Sequence, residues 1–437
     1  MRLRLAWIVA VTLVLGCGNA DPSTRTLTIL HTNDLHARLV PDDRGRGGFA
    51  QLAALIDREC SAATACLVLD GGDLVQGSAV SSLFRGVPIF EVANGLGLHA
   101  STLGNHEFDY GWRKIPEFLE TAEFPVVTAN VVDSAGELLA DAPYVVLETG
   151  GLRIGVIGVL TAGLPHLTVA EKYEPWKVLP VVDTVKRWLP EVAKKTDLVL
   201  VLGHLTDEEE NAILAGVEQI VALVSGHGHG GLDPPRELEG RVAVRVAAYG
   251  RELGRLDLRL DAKSSAVVDW TWKSIPVRAG AVDPDAAVAK RVAHWEKKVA
   301  ESVDVPIGRS TRFLGHAEVR SLLERALRES TGSDLGYVNP GGVRDTLPEG
   351  PLLARHVWNV MPFDNHVVVG EFPGQDLPDF LIRERKLDLD RTYRLATMDF
   401  VATTWKERRS ADLDFTDTGR LVRDVVIEWI RKQGLLE

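Results

Sequence analysis

The chain is poor in cysteine, with three in 437 residues, too few to build a thiolate metal centre. Basic side chains are outnumbered, 49 Lys and Arg against 61 Asp and Glu, and the net charge of −12 argues against sequence-independent binding to a nucleic acid backbone. A phosphate-bearing ligand therefore needs a local cationic centre. Beyond the N-terminus no apolar run is long enough for a membrane span, and no internal repeat or low-complexity tract stands out. Apolar residues still make up 45% of the chain, and its length points to two domains with cores of their own.

At the N-terminus, "MRLRLAWIVAVTLVLGC" places Arg2 and Arg4 before an apolar run, Leu5 to Leu15, shaped like an export signal and excluded from the fold. Its end on Gly16-Cys17 resembles a bacterial lipobox, with Cys17 as the lipidated new N-terminus. Leu15 is bulkier than the usual occupant, so plain secretion stays open beside a lipid anchor. Either way the expected location is the periplasm or cell envelope. An oxidising compartment favours a disulfide between Cys60 and Cys66, six apart in "ECSAATAC", over two free thiols.

Between residues 25 and 275 short β-rich apolar runs alternate with amphipathic stretches, which predicts an α/β domain. The runs include "TLTILHT", "CLVLDGGD", "FPVVTANVV", "LRIGVIGVL", "DLVLVLGH" and "IVALVSGH". Around "SIPVRAGAVDPDAAV" the periodicity lapses, and helical spacing follows with an Asp suited to capping. The reading divides the chain into 1–24 (signal and tether), 25–278 (catalytic domain), 279–303 (linker and connecting helix) and 304–437 (a smaller α/β domain).

Several of these runs end alike, with a metal-capable side chain within a few residues of the strand. "ILHTNDLH" delivers Asp34 and His36; "LVLDGGD" delivers Asp73; "LVLGH" delivers His204; "LVSGHGH" delivers His227 and His229. The stretch "GNHEFDYG" adds Asn105, His106, Glu107 and Asp109. Taken singly, an Asp or Asn after a strand is a turn residue and a lone His a structural one. Leaving Glu107 and Asp109 aside, the other eight bring five of the chain's 12 histidines, two carboxylates and an amide to glycine-flanked strand ends, which points to a shared site. Mixed His, Asp and Asn ligation suits Zn, Mn, Fe or Co better than Ca or Mg. Two such ions need an anion between them, and Asp73 is the best candidate. Two metals roughly 3.5 to 4 Å apart can share a hydroxide and hold a phosphoryl group for in-line attack.

In this order the motifs resemble those of the calcineurin-like metallophosphoesterases: D-x-H, GD, GNH[ED], a later GH, and GHxH. More narrowly the chain is similar to the 5′-nucleotidase and UDP-sugar hydrolase branch, through "ILHTNDLHARL", "GGFAQLAALI", "GDLVQGS", "GNHEFDYG", "FPVVTANV" and "GVIGVLT". The resemblance implies a four-layer α/β/β/α sandwich followed by a nucleotidase-type C-terminal domain. It implies that Asp34, His36, Asp73 and His229 hold one divalent ion, and that Asp73, Asn105, His204 and His227 hold the other. His106 and Asp109 match its catalytic dyad: an imidazole to stabilise charge developing at phosphorus, and a carboxylate to orient it. Glu107 is left as an outer or solvated carboxylate.

In the C-terminal half, "YVNPGGVR" and "VMPFDN" resemble nucleotidase elements that would bring Arg344 to the substrate phosphate, with Asn339, Phe363 and Asn365 as neighbours or structural supports. Phe400 occupies the place of one of the family's two nucleobase-stacking aromatics. The segment that usually carries the other is too short here, and the family's GGDG[YF] element is replaced by "TWKERR", with Trp405 as a substitute ring or a core residue. The leading expectation is a 5′-nucleotidase-type phosphomonoesterase acting on a small phosphorylated substrate, a nucleotide in that reading. Two alternatives stand beside it: a phosphodiesterase or pyrophosphohydrolase acting on UDP-sugars or 2′,3′-cyclic nucleotides, and a metal-containing binding protein without turnover.

Overall fold

A computed structural model describes residues 23–409 and 414–437. The expected export signal and lipidated Cys17 lie outside these residues. Among them no helix is long and apolar enough to cross a membrane.

The N-terminal unit is organised by strands whose alternate residues face two different cores. In Thr24–Thr32, Leu27 and Ile29 point to one side and Leu30 to the other; in Leu198–His204, Leu200 and Leu202 oppose Val199 and Val201. The first sheet has the order Val267–Pro276, Glu252–Asp261, Thr24–Thr32, Cys66–Asp70, Ala100–Ser101. The second has the order Arg236–Leu238, Arg241–Val244, Ala222–Gly226, Leu198–His204, Leu152–Leu160, Tyr144–Thr149. Leu27, Ile29, Leu67, Ile154, Leu200 and Val224 fill the space between the sheets. Helix Phe49–Ser61 covers the outer face of the first sheet, and helices Val181–Ala193 and Asp207–Gly216 that of the second. The four layers are thus α/β/β/α.

Parallel neighbours put their C-terminal ends on one edge: Thr24–Thr32 with Cys66–Asp70 in one sheet, Leu198–His204 with Ala222–Gly226 in the other. The candidate ligands leave the sheets at these ends.

"FPVVTANVV" departs from the strand expectation, since only Val131–Val132 is a strand there. Val127 N donates to Ser101 O, Thr128 N to Ala142 O and Ala129 N to Gly158 O, so the segment divides its hydrogen bonds among several partners instead of following one ladder. Cys60 and Cys66 form a disulfide, Cα atoms 5.5 Å apart, tying the helix Phe49–Ser61 to the strand Cys66–Asp70.

Helix Ala286–Val303 starts at Asp285, whose side chain accepts from Val288 N at 2.8 Å, and it packs Val288, Val292 and Val299 on the first unit's helical layer. The remaining chain has its own core, including Ile307, Leu323, Val367, Leu395 and Ile430. A four-stranded sheet, Leu335–Gly336, Thr392–Met398, His366–Pro373, Thr416–Leu421, and a three-stranded one, Gly350–Leu353, Pro306–Ser310, Leu435–Leu436, surround it with helices His316–Thr331 and Val422–Gln433.

Candidate metal centre and catalytic cleft

Past their strands, the segments 33–37 and 71–74 run side by side. Asp34 N donates to Gly72 O at 2.9 Å, and His36 N to Asp73 O at 3.0 Å. In these segments Asp34, His36 and Asp73 take positive φ of 51°, 47° and 57°, and His227, past the strand Ala222–Gly226, takes 76°. Such backbone costs on the order of 1–3 kcal/mol per residue and collects at sites where side-chain direction matters more than local stability.

These side chains converge. Asp34 Oδ1 lies 3.5 Å from His229 Nε2 and 3.8 Å from His36 Nε2, while the two imidazole nitrogens are 3.0 Å apart. Asp73 Oδ2 lies 3.9 Å from His36 Nε2 and 3.1 Å from His204 Nε2. Asn105 Oδ1 lies 3.2 Å from His204 Nε2 and 3.0 Å from His227 Nδ1. The two groups of side chains expected from the sequence therefore meet, with Asp73 between them. Asp34, His36, Asp73, Asn105 and His204 are buried.

The donor chemistry fits cations. Burial, followed by the nearby positive charges, lowers His229 to about 3 and His227 to about 4, and holds His36 well below its usual value, so their nitrogens keep free lone pairs. Burial opposes charge on His204 too, but the Asp73 carboxylate overrides it and raises the group to about 10. His204 Nδ1 donates to Gly71 O at 2.8 Å, so the extra proton sits on Nε2, facing Asp73, where a metal ion would displace it. Grouped acidic and imidazole atoms here, Asp34 with His36 and His229, and Asp34 with Asp73 and His204, lie close enough to share an ion.

Glycine permits this approach. A Cβ on Gly104 would stand 2.1 Å from Asp73 Oδ1, and one on Gly226 2.7 Å from His204 Nδ1.

Glu107 narrows the sequence reading to its outer, unsolvated alternative. It is buried, and its carboxylate accepts from the backbone N–H groups of Gly104 (2.6 Å), Leu74 (2.9 Å), Asp73 (3.1 Å) and Val75 (3.4 Å). It is a brace between the loops that carry Asp73 and Asn105. Burial and the Asp73 charge push it up to about 7. Sequence reasoning also passed over Asn33, which grips Asp34 Oδ2 at 2.7 Å and the backbone of Val246, and Tyr249, whose hydroxyl faces His229 Nδ1 at 3.4 Å. Adjacency to Asp34 was a signal for Asn33; Tyr249 had none.

His106 sits at the rim. Its backbone N–H donates to Asp73 Oδ1 (2.8 Å), its Nδ1 meets Asp109 Oδ2 (2.7 Å), and its Nε2 meets Arg344 Nη2 (2.5 Å). Arginine can only donate, so Nε2 accepts here and the Nδ1 proton goes to Asp109. The guanidinium of Arg344 also stands over the Phe363 ring, 5.4 Å from its centroid.

From this point a cleft of about 620 Å³ runs between the two units. Asn339, Phe363, Asn365 and Phe400 all line it. Trp405 combines both roles open to it: it packs 5.1 Å from the Tyr337 ring and 6.0 Å from Phe380, and all three rings line the cleft. The "TWKERR" segment extends a helix, Asp399–Arg409. His166, Thr168 and Lys172 line the wall supplied by the first unit.

Residues 27–231 match the model of the family described as calcineurin-like phosphoesterase, and residues 298–386 that of the 5′-nucleotidase C-terminal domain. Protein UshA of Yersinia enterocolitica is 24% identical over 95% of this chain and 92% of its own length. A 5′-nucleotidase of Vibrio cholerae is 25% identical over 84% of this chain and 78% of its own. Among solved structures, that of a 5′-nucleotidase precursor from Thermus thermophilus aligns with a TM-score of 0.84 at 25% identity, covering 94% of this chain and 97% of the other.

Proposed function

We propose, for a chain that belongs to the calcineurin-like phosphoesterases and carries a 5′-nucleotidase C-terminal domain, a specific form of that family's phosphoester hydrolysis: a two-metal phosphomonoesterase of the 5′-nucleotidase type. The observation that carries this reading is Asp73, whose carboxylate faces His36 on one side and His204 on the other. In this reading Asp34, His36, Asp73 and His229 hold one divalent ion, and Asp73, Asn105, His204 and His227 the other. Bound there, two ions of Zn, Mn, Co or Fe type supply the lowered water pKa and the positive charge that in-line attack on phosphorus requires.

The remaining work falls to the rim. Arg344 offers its fork of donors to the phosphoryl oxygens, and His106 Nε2 lies beside it. With a phosphoryl group bound beside Arg344, Nε2 of His106 is released from that contact and takes up a second proton from solvent; the imidazolium gives it to the leaving oxygen, while Asp109 holds the Nδ1 proton and fixes the ring. Tyr337, Phe380, Phe400 and Trp405 present flat apolar surface for the organic part of the substrate, which supports a nucleotide. Export, with Cys17 as a lipid anchor, belongs to the same proposal.

Phosphate release from AMP, UDP-glucose, a 2′,3′-cyclic nucleotide and an aryl phosphate, measured on metal-reconstituted protein, tests the reading. AMP and the aryl phosphate are the expected substrates, and His106→Ala lowers turnover by roughly 100- to 10,000-fold. A strong preference for either diester removes the monoesterase, and the absence of any metal-dependent release removes the enzyme.

A further inference from the structure

A second cleft of about 410 Å³ lies between the two units, and Arg344 lines both it and the catalytic cleft. Tyr249, which faces His229, forms part of its wall. In a chain of net charge −12, six guanidinium groups line this space against four carboxylates.

Some of those cations are neutralised where they stand. Arg38 pairs with Asp345 at 2.7 Å, Arg46 with Asp42 at 2.8 Å, and Arg355 with Asp304 at 2.6 Å. Others keep spare donors. Arg44 stacks over the Phe313 ring, 5.6 Å from its centroid, and has no ion pair among the described residues. The Nε of Arg251 is buried without a hydrogen-bond partner; the Asp42 oxygen it approaches, at 3.4 Å, already accepts from Arg46. The Nε of Arg344 is likewise buried and unpartnered. Burial and the Arg46 charge lower the pKa of Arg251, as expected of a guanidinium short of counter-charge. Arg251 and Arg38 both lie over the Tyr249 ring, at 4.9 and 5.4 Å.

From this convergence we infer that the cleft bounded by Arg44, Arg251 and Arg344 binds a small tetrahedral oxyanion, beside but separate from the metal cluster. The guanidinium groups of Arg44 and Arg251, with Arg344 where the two clefts meet, suit the oxygens of phosphate or sulfate. The chemistry stands on the cleft alone. Its source rests on the proposed function: either the phosphate released by hydrolysis or a distal phosphoryl group of a longer substrate.

Calorimetric melting of the EDTA-treated full chain with millimolar sodium sulfate, against sodium chloride at equal ionic strength, tests the site without turnover. Sulfate should raise the melting temperature of the wild type, and Arg251→Gln or Arg44→Gln should each remove at least half of that rise. If either folded variant keeps the full rise, or the wild type shows none, the inference is wrong; should one variant fail to fold, the other decides. Kinetics then assign the source. A five-fold or greater increase in the inhibition constant of inorganic phosphate in Arg251→Gln identifies the released product, whereas an increase in KM for ADP but not for AMP identifies a distal phosphoryl group. Lack of phosphoesterase activity would overturn the proposed function and leave the sulfate result standing.

Discussion

Arg344 reaches His106 across 238 positions of sequence, Nη2 to Nε2 at 2.5 Å, and in doing so closes the catalytic cleft from the second unit. The two halves of the rim belong to separate hydrophobic cores, Arg344 beside Val343 in one and His106 beside Phe108 in the other. Their relative placement therefore depends on how the units dock.

Arg344→Lys keeps the charge and loses the fork. The expected effect is a fall of about 30-fold in kcat/KM for AMP, equivalent to about 2 kcal/mol, the scale of a hydrogen bond to a charged group. Steady-state kinetics at saturating metal check it, and an unchanged kcat/KM would separate Arg344 from the phosphate.

Because Asp73 faces both groups of candidate ligands and His229 only one, their removal should differ in stoichiometry. Elemental analysis after dialysis should find both ions depleted in Asp73→Ala and one retained in His229→Ala. Equal loss in the two variants would contradict the bridging role of Asp73.

Glu107→Ala should destabilise the protein by roughly 3–5 kcal/mol, since four backbone N–H groups that converge on the carboxylate lose their acceptor in a buried place. Denaturant unfolding measures this. A change within 1 kcal/mol would mean that the loops hold each other without the brace.

His31 gives a pH dependence. Burial lowers it from 6.5 to about 3, and Trp272 Nε1 faces its Nε2 at 3.3 Å. The folded state resists a proton that the unfolded chain accepts, so stability is full above pH 6.5 and is lost as pH falls towards 3. Between pH 6.5 and 5 this residue should cost about 2 kcal/mol, at about 1.4 kcal/mol per pH unit. Unfolding free energies measured across that range should show the slope in the wild type and a shallower one in His31→Gln.

Much of this architecture was legible beforehand because its signals are local. Short apolar runs such as "TLTILHT" and "DLVLVLGH" mark strands, and Asp285 caps its helix as its position suggests. The convergence of the candidate ligands was legible because they sit at strand ends beside glycines, a placement that follows from the order of residues. The bracing role of Glu107 was not legible, for a complementary reason. Its partners are backbone N–H groups, three of them more than 30 residues away, and a backbone donor carries no letter in a sequence.

What the order of residues determined by itself is the kind of chemistry: strands that end in His, Asp and Asn, and too few cysteines for any thiolate alternative. Only the tertiary structure decided which of these atoms meet, that Trp405 joins Tyr337 and Phe380 in lining the cleft, and that arginines from both units share a second one. Periodicity is a property of neighbours along a chain, whereas distances between loops are set by the packing of two sheets and the docking of two cores, which no single segment encodes.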